Sequence, residues 1–384
     1  MHTRKNEPKN NWRGPIAACC QAVLLLASIG CKGEQPAREI HERPGIELAN
    51  TDGVPLKRTR IVATLDETPL PGENIIWCAS FMAAWKELQT SVVFGPVVIP
   101  DREDFTNPLN EAVLPDFPKD ALFAMAGLER DGIENKIVSG LRQQFPGKAP
   151  PHFDLLDPDD VVAYAYLQVQ TYFAMPYEVN EEPLVFKAAD GTATPIRTFG
   201  IQPGHAGASQ LRSQPTVVYL DQQGQGKRTY FAVDMCADCS ETQVIFARLE
   251  LKGTLRQTIR RATRLLRPLG SLTGSQTLLA PAIKLKLAHK FSEIVDADLV
   301  AGDGVRRIIH DALQDIDFSL TEAGVELKSE ARMVPRAGNF VPQEEMLPPD
   351  FICDSPFVIM LLQRGSTDPF FVMWVENDDL LTHW

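Results

Sequence analysis

Pro356–Gln363 (PFVIMLLQ) and Pro369–Glu376 (PFFVMWVE) are two almost wholly apolar runs, separated by Arg364–Asp368 (RGSTD). Apolar runs of about eight residues on either side of a short polar turn predict a hairpin buried on both faces. A hairpin of that kind is a core element. Ahead of it, Ile308–Leu320 (IIHDALQDIDFSL) predicts a strand and Thr321–Asp350 reads as a long loop. A loop of that length is more than a compact domain normally carries without a function.

The residues of that loop alternate. Thr321, Ala323, Val325, Leu327, Ser329, Ala331 and Met333 are small or apolar, whereas Glu322, Gly324, Glu326, Lys328, Glu330 and Arg332 are charged apart from the glycine. A period of two over a dozen residues marks a half-buried strand. At 3.6 residues per turn the charges would fall on every side of a helix. An ordinary surface strand also accounts for the pattern.

The order and spacing of these segments resemble the serpin family. In serpins a strand reading roughly V-V-H-K-A-x-(L/I)-x-V runs into E-E-G-T-E-A. Here Ile308-Ile309-His310-Asp311-Ala312-Leu313 leads through Ile316 to Thr321-Glu322-Ala323 with no gap. The serpin C-terminal hairpin reads F-x-x-(D/N)-x-P-F-x-F-x-I, a short turn, then P-x-x-F-M-G-x-V-x-N-P. This chain has Phe351-Ile352-Cys353-Asp354-Ser355-Pro356-Phe357 and Pro369-Phe370-Phe371-Val372-Met373-Trp374-Val375-Glu376-Asn377.

The resemblance implies an α+β fold of three β-sheets, with a helical N-terminal half and a long exposed loop before a buried hairpin. It implies no enzyme activity, cofactor or metal. It implies a suicide trap for a serine or cysteine protease: the enzyme cuts the loop, and the part before the cut inserts as a new strand of the main sheet. Such a trap needs a metastable starting fold. Its hinge would be Leu320, Thr321, Glu322 and Ala323. The family's count from Thr321 puts the scissile bond at Val334–Pro335, where the proline blocks most serine proteases. Arg332–Met333 and Arg336–Ala337 are the nearby bonds a trypsin-like enzyme prefers. Arg332, Val334 and Arg336 are therefore the candidate scissile-bond residues.

The alternation from Thr321 to Met333 suits insertion, because no charge would enter the core. The hinge does not suit it. Leu320 stands where the family has Gly, which passes through backbone conformations a leucine resists. Val325 and Leu327 are bulkier than the family's Ala or Thr, so insertion risks overpacking at roughly 1–3 kcal/mol each. The expectation is a serpin fold with weak or absent inhibition. A passive surface-binding or scaffold protein is the alternative.

The chain has 384 residues and a formal charge of −12, which suits a soluble acidic protein and argues against nucleic acid as a partner. Met1–Arg13 is basic, Ile16–Gly30 is apolar and uncharged, and Cys31 follows. That is the pattern of a signal peptide. Ser28-Ile29-Gly30-Cys31 resembles a bacterial lipoprotein box, with Cys31 as the acylated residue; plain secretion and an uncleaved anchor are the other readings. Residues 32–56 are a polar linker. The expectation is a monomeric domain over 57–377, outside the cytoplasm and tied to the membrane by its lipid.

Along the chain, Asn74-Ile75 and a buried helix over Ala79–Gln89 resemble the serpin N-I-x-x-S-P-x-S opening, with Cys78 and Ala79 in place of Ser and Pro. Lys119–Gln144 predicts two short helices broken near Asp131-Gly132. Val161–Phe173 (VVAYAYLQVQTYF) is the longest strand signal. It resembles the central serpin strand ending L-V-N-A-I-Y-F, but Val169 replaces the Asn and the Trp downstream is missing. Leu184–Phe186 and Thr192–Ile196 predict a hairpin, Pro215–Asp221 and Thr229–Asp234 a pair of strands, and Val244–Leu251 another strand. Thr254–Arg267 predicts a helix whose five arginines form a solvated face. Leu278–Leu287 predicts one strand.

Cys236-Ala237-Asp238-Cys239 has the spacing of a redox or zinc half-site. No second pair exists to complete a zinc site, so a local disulfide or two thiols in a turn is the plainer reading. Cys78 at a helix start could be a thiol nucleophile with His152, His205, His289 or His310 as base; a core cysteine is the competing reading. No GxSxG, P-loop, HExxH or dinucleotide motif supports an enzyme.

Overall fold

The computed structural model describes residues 56–153, 157–204, 207–222, 229–300, 306–309, 311–330 and 350–384. Within it the two apolar runs pair as β20 (Phe357–Gln363) and β21 (Phe371–Val375), with every residue buried except Gln363. They lie inside an eight-stranded sheet and so read as continuous apolar strands. The other members are β1 (Thr59–Val62), β2 (Asn74–Cys78), β9 (Thr216–Gln222), β10 (Thr229–Asp234), β11 (Thr242–Arg248) and β12 (Gly270–Ser271), in the order β1-β2-β21-β20-β11-β10-β9-β12.

A second sheet has five strands, all antiparallel: β3 (Leu122–Leu128), β4 (Val161–Tyr172), β14 (Ile283–Lys290), β17 (Leu313–Thr321) and β18 (Gly324–Glu330), in the order β14-β17-β18-β4-β3. A third runs β19-β13-β8-β5, from β5 (Glu178–Val179), β8 (Thr198–Ile201), β13 (Leu278–Pro281) and β19 (Phe351–Ile352). Two ribbons complete the set: β6 (Leu184–Lys187) with β7 (Ala193–Ile196), and β15 (Asp298–Val300) with β16 (Arg306–Ile308). Of the α-helices described, α1 (Ala79–Leu88), α2 (Glu103–Glu111) and α3 (Ile133–Gln144) precede residue 150, and α4 (Ala208–Leu211) and α5 (Leu255–Thr263) follow. The expected α+β class with three main sheets is what forms.

The two large sheets meet through stacked rings, Phe318 of β17 on Phe371 of β21 with centroids 4.8 Å apart. A smaller cluster lies where α3 covers β3 and β4, built from Ile133, Ile137 and Leu141 against Phe123, Val162, Tyr164 and Tyr166. Helix α5 starts at a capping box, Thr254 with Gln257, which satisfies two orphan amide groups at the helix start.

Several expectations need correction. Residues 122–128 (LFAMAGL) form a strand, not a helix; pairing along β4 outweighs the helix preference of Leu, Ala and Met, which is a weak prior. Leu278–Leu287 is two strands in two sheets. Pro281 ends β13, and the chain crosses at Ala282 into β14. The strand expected over Ile308–Leu320 is divided between β16 and β17. The loop expected from Thr321 is, over its first residues, strand β18.

The two ends of the folded chain are clasped by a pair of fully buried asparagines. Asn74 donates to Asn377 Oδ1 (2.8 Å) and Thr59 Oγ1 (3.1 Å), and accepts from the backbone N–H of Glu376 (2.7 Å) and Asn377 (3.0 Å). Asn377 in turn donates to the carbonyls of Gly72 and Arg58. Removing one partner strands several buried polar groups, each at about 1–3 kcal/mol. Asn74→Leu should therefore lower the unfolding free energy by about 3 kcal/mol or more, read by urea titration at unchanged m-value.

Candidate functional site

The site grows from the end of β17. Strands β17 and β18 are joined by a tight hairpin in which Thr321 faces Gly324, so Glu322 and Ala323 alone make the turn. Beyond the ladder, the Phe173 N–H donates to Ala323 O (3.0 Å) and the Tyr177 N–H to Glu322 O (2.9 Å). Gly324 has φ +152°, and a Cβ there would lie 2.2 Å from the Thr171 carbonyl oxygen. Only glycine allows that approach, which explains the single uncharged residue in the outward-facing set.

From this turn β18 runs between β17 and β4, hydrogen-bonded to both. Its register builds rows across four strands: Ile283, Leu320, Val325, Thr171; then Leu285, Phe318, Leu327, Val169; then Leu287, Ile316, Ser329, Leu167. Val325, Leu327 and Ser329 are buried, while Glu326 and Lys328 are half-buried on the outer face. There Lys328 pairs with Glu326 (2.7 Å) and Lys286 with Asp317 (3.0 Å). Such half-exposed pairs contribute little; the strand is held by its inner face and its two ladders.

Of the hinge residues, Leu320 is fully buried, between Ile283 and Val325 in its row. Thr321 and Glu322 are half-buried, and Ala323 is exposed. Val325 and Leu327 are accommodated in their rows. Their neighbours on β4 are Thr171 and Val169, both buried.

The lower end of β18 carries a contact that sequence reasoning missed. Ser329 Oγ lies 2.9 Å from Ser80 Oγ on α1 and donates to Asp315 O (2.7 Å). Gln314 Nε2 donates to Ser80 Oγ (2.8 Å) and to Cys78 O (3.1 Å). These groups are buried, so Ser329 supplies a partner that the interior would otherwise lack. A serine in an otherwise apolar inward set was the available signal.

Cys78 is fully buried, and that burial pushes its thiol pKa up. A shielded neutral thiol is not a nucleophile. His289, opposite Gln314 on β17, has its pKa lowered to about 4, chiefly by burial, and His152 lies on the surface near Glu134. His205 and His310 lie outside the described residues, as do Arg332, Val334, Arg336 and Cys31. Cys236 and Cys239 are disulfide-bonded in the turn between β10 and β11.

No known family's sequence profile matches the chain, and no curated protein matches it. Among solved structures it is similar to the thermophilic serpin tengpin in the latent state (10% identity, TM-score 0.46, 81% of this chain and 92% of that one). It is also similar to human thyroxine-binding globulin complexed with thyroxine (16%, 0.45, 80% and 92%). A third is the mouse protein-Z dependent protease inhibitor (12%, 0.44, 79% and 91%). These likenesses concern the fold alone.

If the inner face of β18 holds the strand, Leu327→Glu should expel it, because a carboxylate would face Phe318 and Val169. The expected result is loss of amide protection over residues 325–329 and rapid tryptic cleavage after Lys328. Glu326→Gln, on the outer face, should leave both unchanged.

Proposed function

We propose that this is an extracytoplasmic serpin-fold protein, related to inhibitors of serine-type endopeptidases, whose trap does not fire. A protease would meet the region 321–350 as bait and leave it as a cut substrate. The observation that carries this reading is the seating of β18 between β17 and β4 in the uncut chain. A trap works by releasing, after the cut, the free energy of placing that segment in the sheet. Where residues 324–330 already occupy the slot, little is left to release. Leu327 supports the same reading: its side chain fills a core row, so withdrawing β18 would open a cavity at about 2–5 kcal/mol.

The length of the loop is compatible with this arrangement. Nineteen residues, 331–349, separate β18 from Asp350. At up to roughly 3.3 Å per residue they reach about 60 Å, against about 24 Å for β18 itself. Both ends are strand-bound in the uncut chain, β18 in its sheet and Phe351 against Leu278.

Incubation with trypsin-, elastase- and subtilisin-like enzymes, followed by a denaturing gel, tests the proposal. Cleavage at Arg332–Met333, Arg336–Ala337 or a neighbouring bond is expected without an SDS-stable complex, and the melting temperature should not rise on nicking. A covalent complex with any of the enzymes, or a large rise in melting temperature, would overturn it. Export and anchoring through Cys31 belong to the same proposal: Cys31→Ser should move the protein from the membrane to the soluble extracytoplasmic fraction, and unchanged fractionation would count against the anchor.

A further inference from the structure

We propose that the Cys236–Cys239 disulfide is a thiol–disulfide exchange site, with a protein dithiol as its co-reactant, and that its redox state sets how firmly the hinge end of β18 is held. The proposal rests on β18 being seated as described above.

The placement of the disulfide carries the inference. Cys236 is fully buried, whereas Cys239 is half-buried between exposed Asp238 and Ser240. An incoming thiolate therefore meets the Cys239 sulfur. Both sulfurs lie against the carbonyl oxygen of Tyr172, at 3.6 Å from Cys239 and 4.0 Å from Cys236. Tyr172 ends β4 opposite Gly324. The next residue, Phe173, holds Ala323 by its N–H, and the Tyr177 N–H holds Glu322. The Tyr177 hydroxyl also donates to the carbonyl of Met235 (2.7 Å), the residue before Cys236. The disulfide turn thus backs both ends of 172–177, the segment that grips the hinge.

On its far side the turn is held by Arg364, which donates to the carbonyls of Cys236, Cys239 and Thr242 and pairs with Asp234 (3.0 Å). A charged group against the sulfurs is Asp238, 3.7 Å from Cys236 Sγ, and it opposes a departing thiolate there.

In the reaction, the first thiolate of the dithiol attacks Cys239 Sγ. The bond to Cys236 breaks, and its electron pair stays on the Cys236 sulfur, which takes a proton. The second thiol attacks the mixed disulfide and releases the Cys239 thiolate, which is protonated in turn. The dithiol leaves as a disulfide, and the chain has gained two electrons and two protons. Cys239 can then turn outward and leave Tyr172 without its backing, so the bonds from Phe173 and Tyr177 to the hinge open more often. A bridge across only two intervening residues restrains the unfolded chain little, so this disulfide is poorly suited to being a general staple.

Hydrogen exchange read by mass spectrometry on the full chain, with and without excess dithiothreitol, tests this. Reduction of the Cys236–Cys239 disulfide should be complete in the native protein. Exchange at Phe173, Tyr177 and residues 324–327 should become about tenfold faster while β14 and β3 stay unchanged. Cys239→Ser, and separately Cys236→Ser with Cys239→Ser, should exchange at the faster rate whether or not dithiothreitol is present. A disulfide that resists native-state reduction, or one that is reduced with no change at these amides, overturns the proposal. Fast exchange over 324–327 in the oxidised protein would refute the seated strand itself, and this proposal with it. An SDS-stable protease complex alongside redox-dependent exchange would overturn only the functional reading.

Discussion

The five-stranded sheet depends on one constraint: a strand wedged between two others must place nothing charged on its inner face. Residues 324–330 meet it by strict alternation, with Val325, Leu327 and Ser329 inward and Glu326 and Lys328 outward. A shift of one residue would exchange the two sets and bury both charges. The register is further fixed at its ends. Gly324 admits the Thr171 carbonyl at the top, and Ser329 closes a buried hydrogen-bond network with Ser80 and Gln314 at the bottom. The sheet opposite depends on the same constraint in its stronger form, since β20 and β21 are covered on both faces and carry almost no polar side chains.

What was legible in the sequence follows the range of the forces concerned. The C-terminal hairpin, the long strand β4 and the alternation after Thr321 are local patterns imposed by burial, and each was readable from residue type alone. Strand β3 was not, because Leu122–Leu128 is rich in helix-forming residues and becomes a strand only through a partner beginning at Val161. The break at Ala282 was hidden for a related reason: the apolar run Leu278–Pro281 leads without a polar residue into the alternating stretch from Ala282, while the two halves join different sheets.

The hinge residues take on a second meaning once their neighbours are known. Read alone, Leu320 is a stiff residue where a flexible one is expected, and Val325 and Leu327 are too large for an inserting segment. Both judgements assume that the strand must travel. In the folded chain Leu320 fills the space between Ile283 and Val325, and Leu327 lies between Phe318 and Val169. The same bulk that would slow an insertion stabilises a strand that is already in place. Ser329 itself stood out in the inward set, but its partner was illegible because Ser80 is far away in sequence and is brought beneath β18 by helix α1.

Between β17 and β4 the sheet is filled by β18, whose Val325, Leu327 and Ser329 are buried in its rows. Any remaining freedom lies at the top of β18, where Ala323 is exposed and the turn is held by two backbone bonds from Phe173 and Tyr177. The lower end is fixed by buried side-chain bonds. The upper end depends on a short segment whose support includes the disulfide turn and Arg364. Opening of the sheet should therefore begin at the hinge and proceed downward, because the first rungs lost are those with the least buried surface behind them.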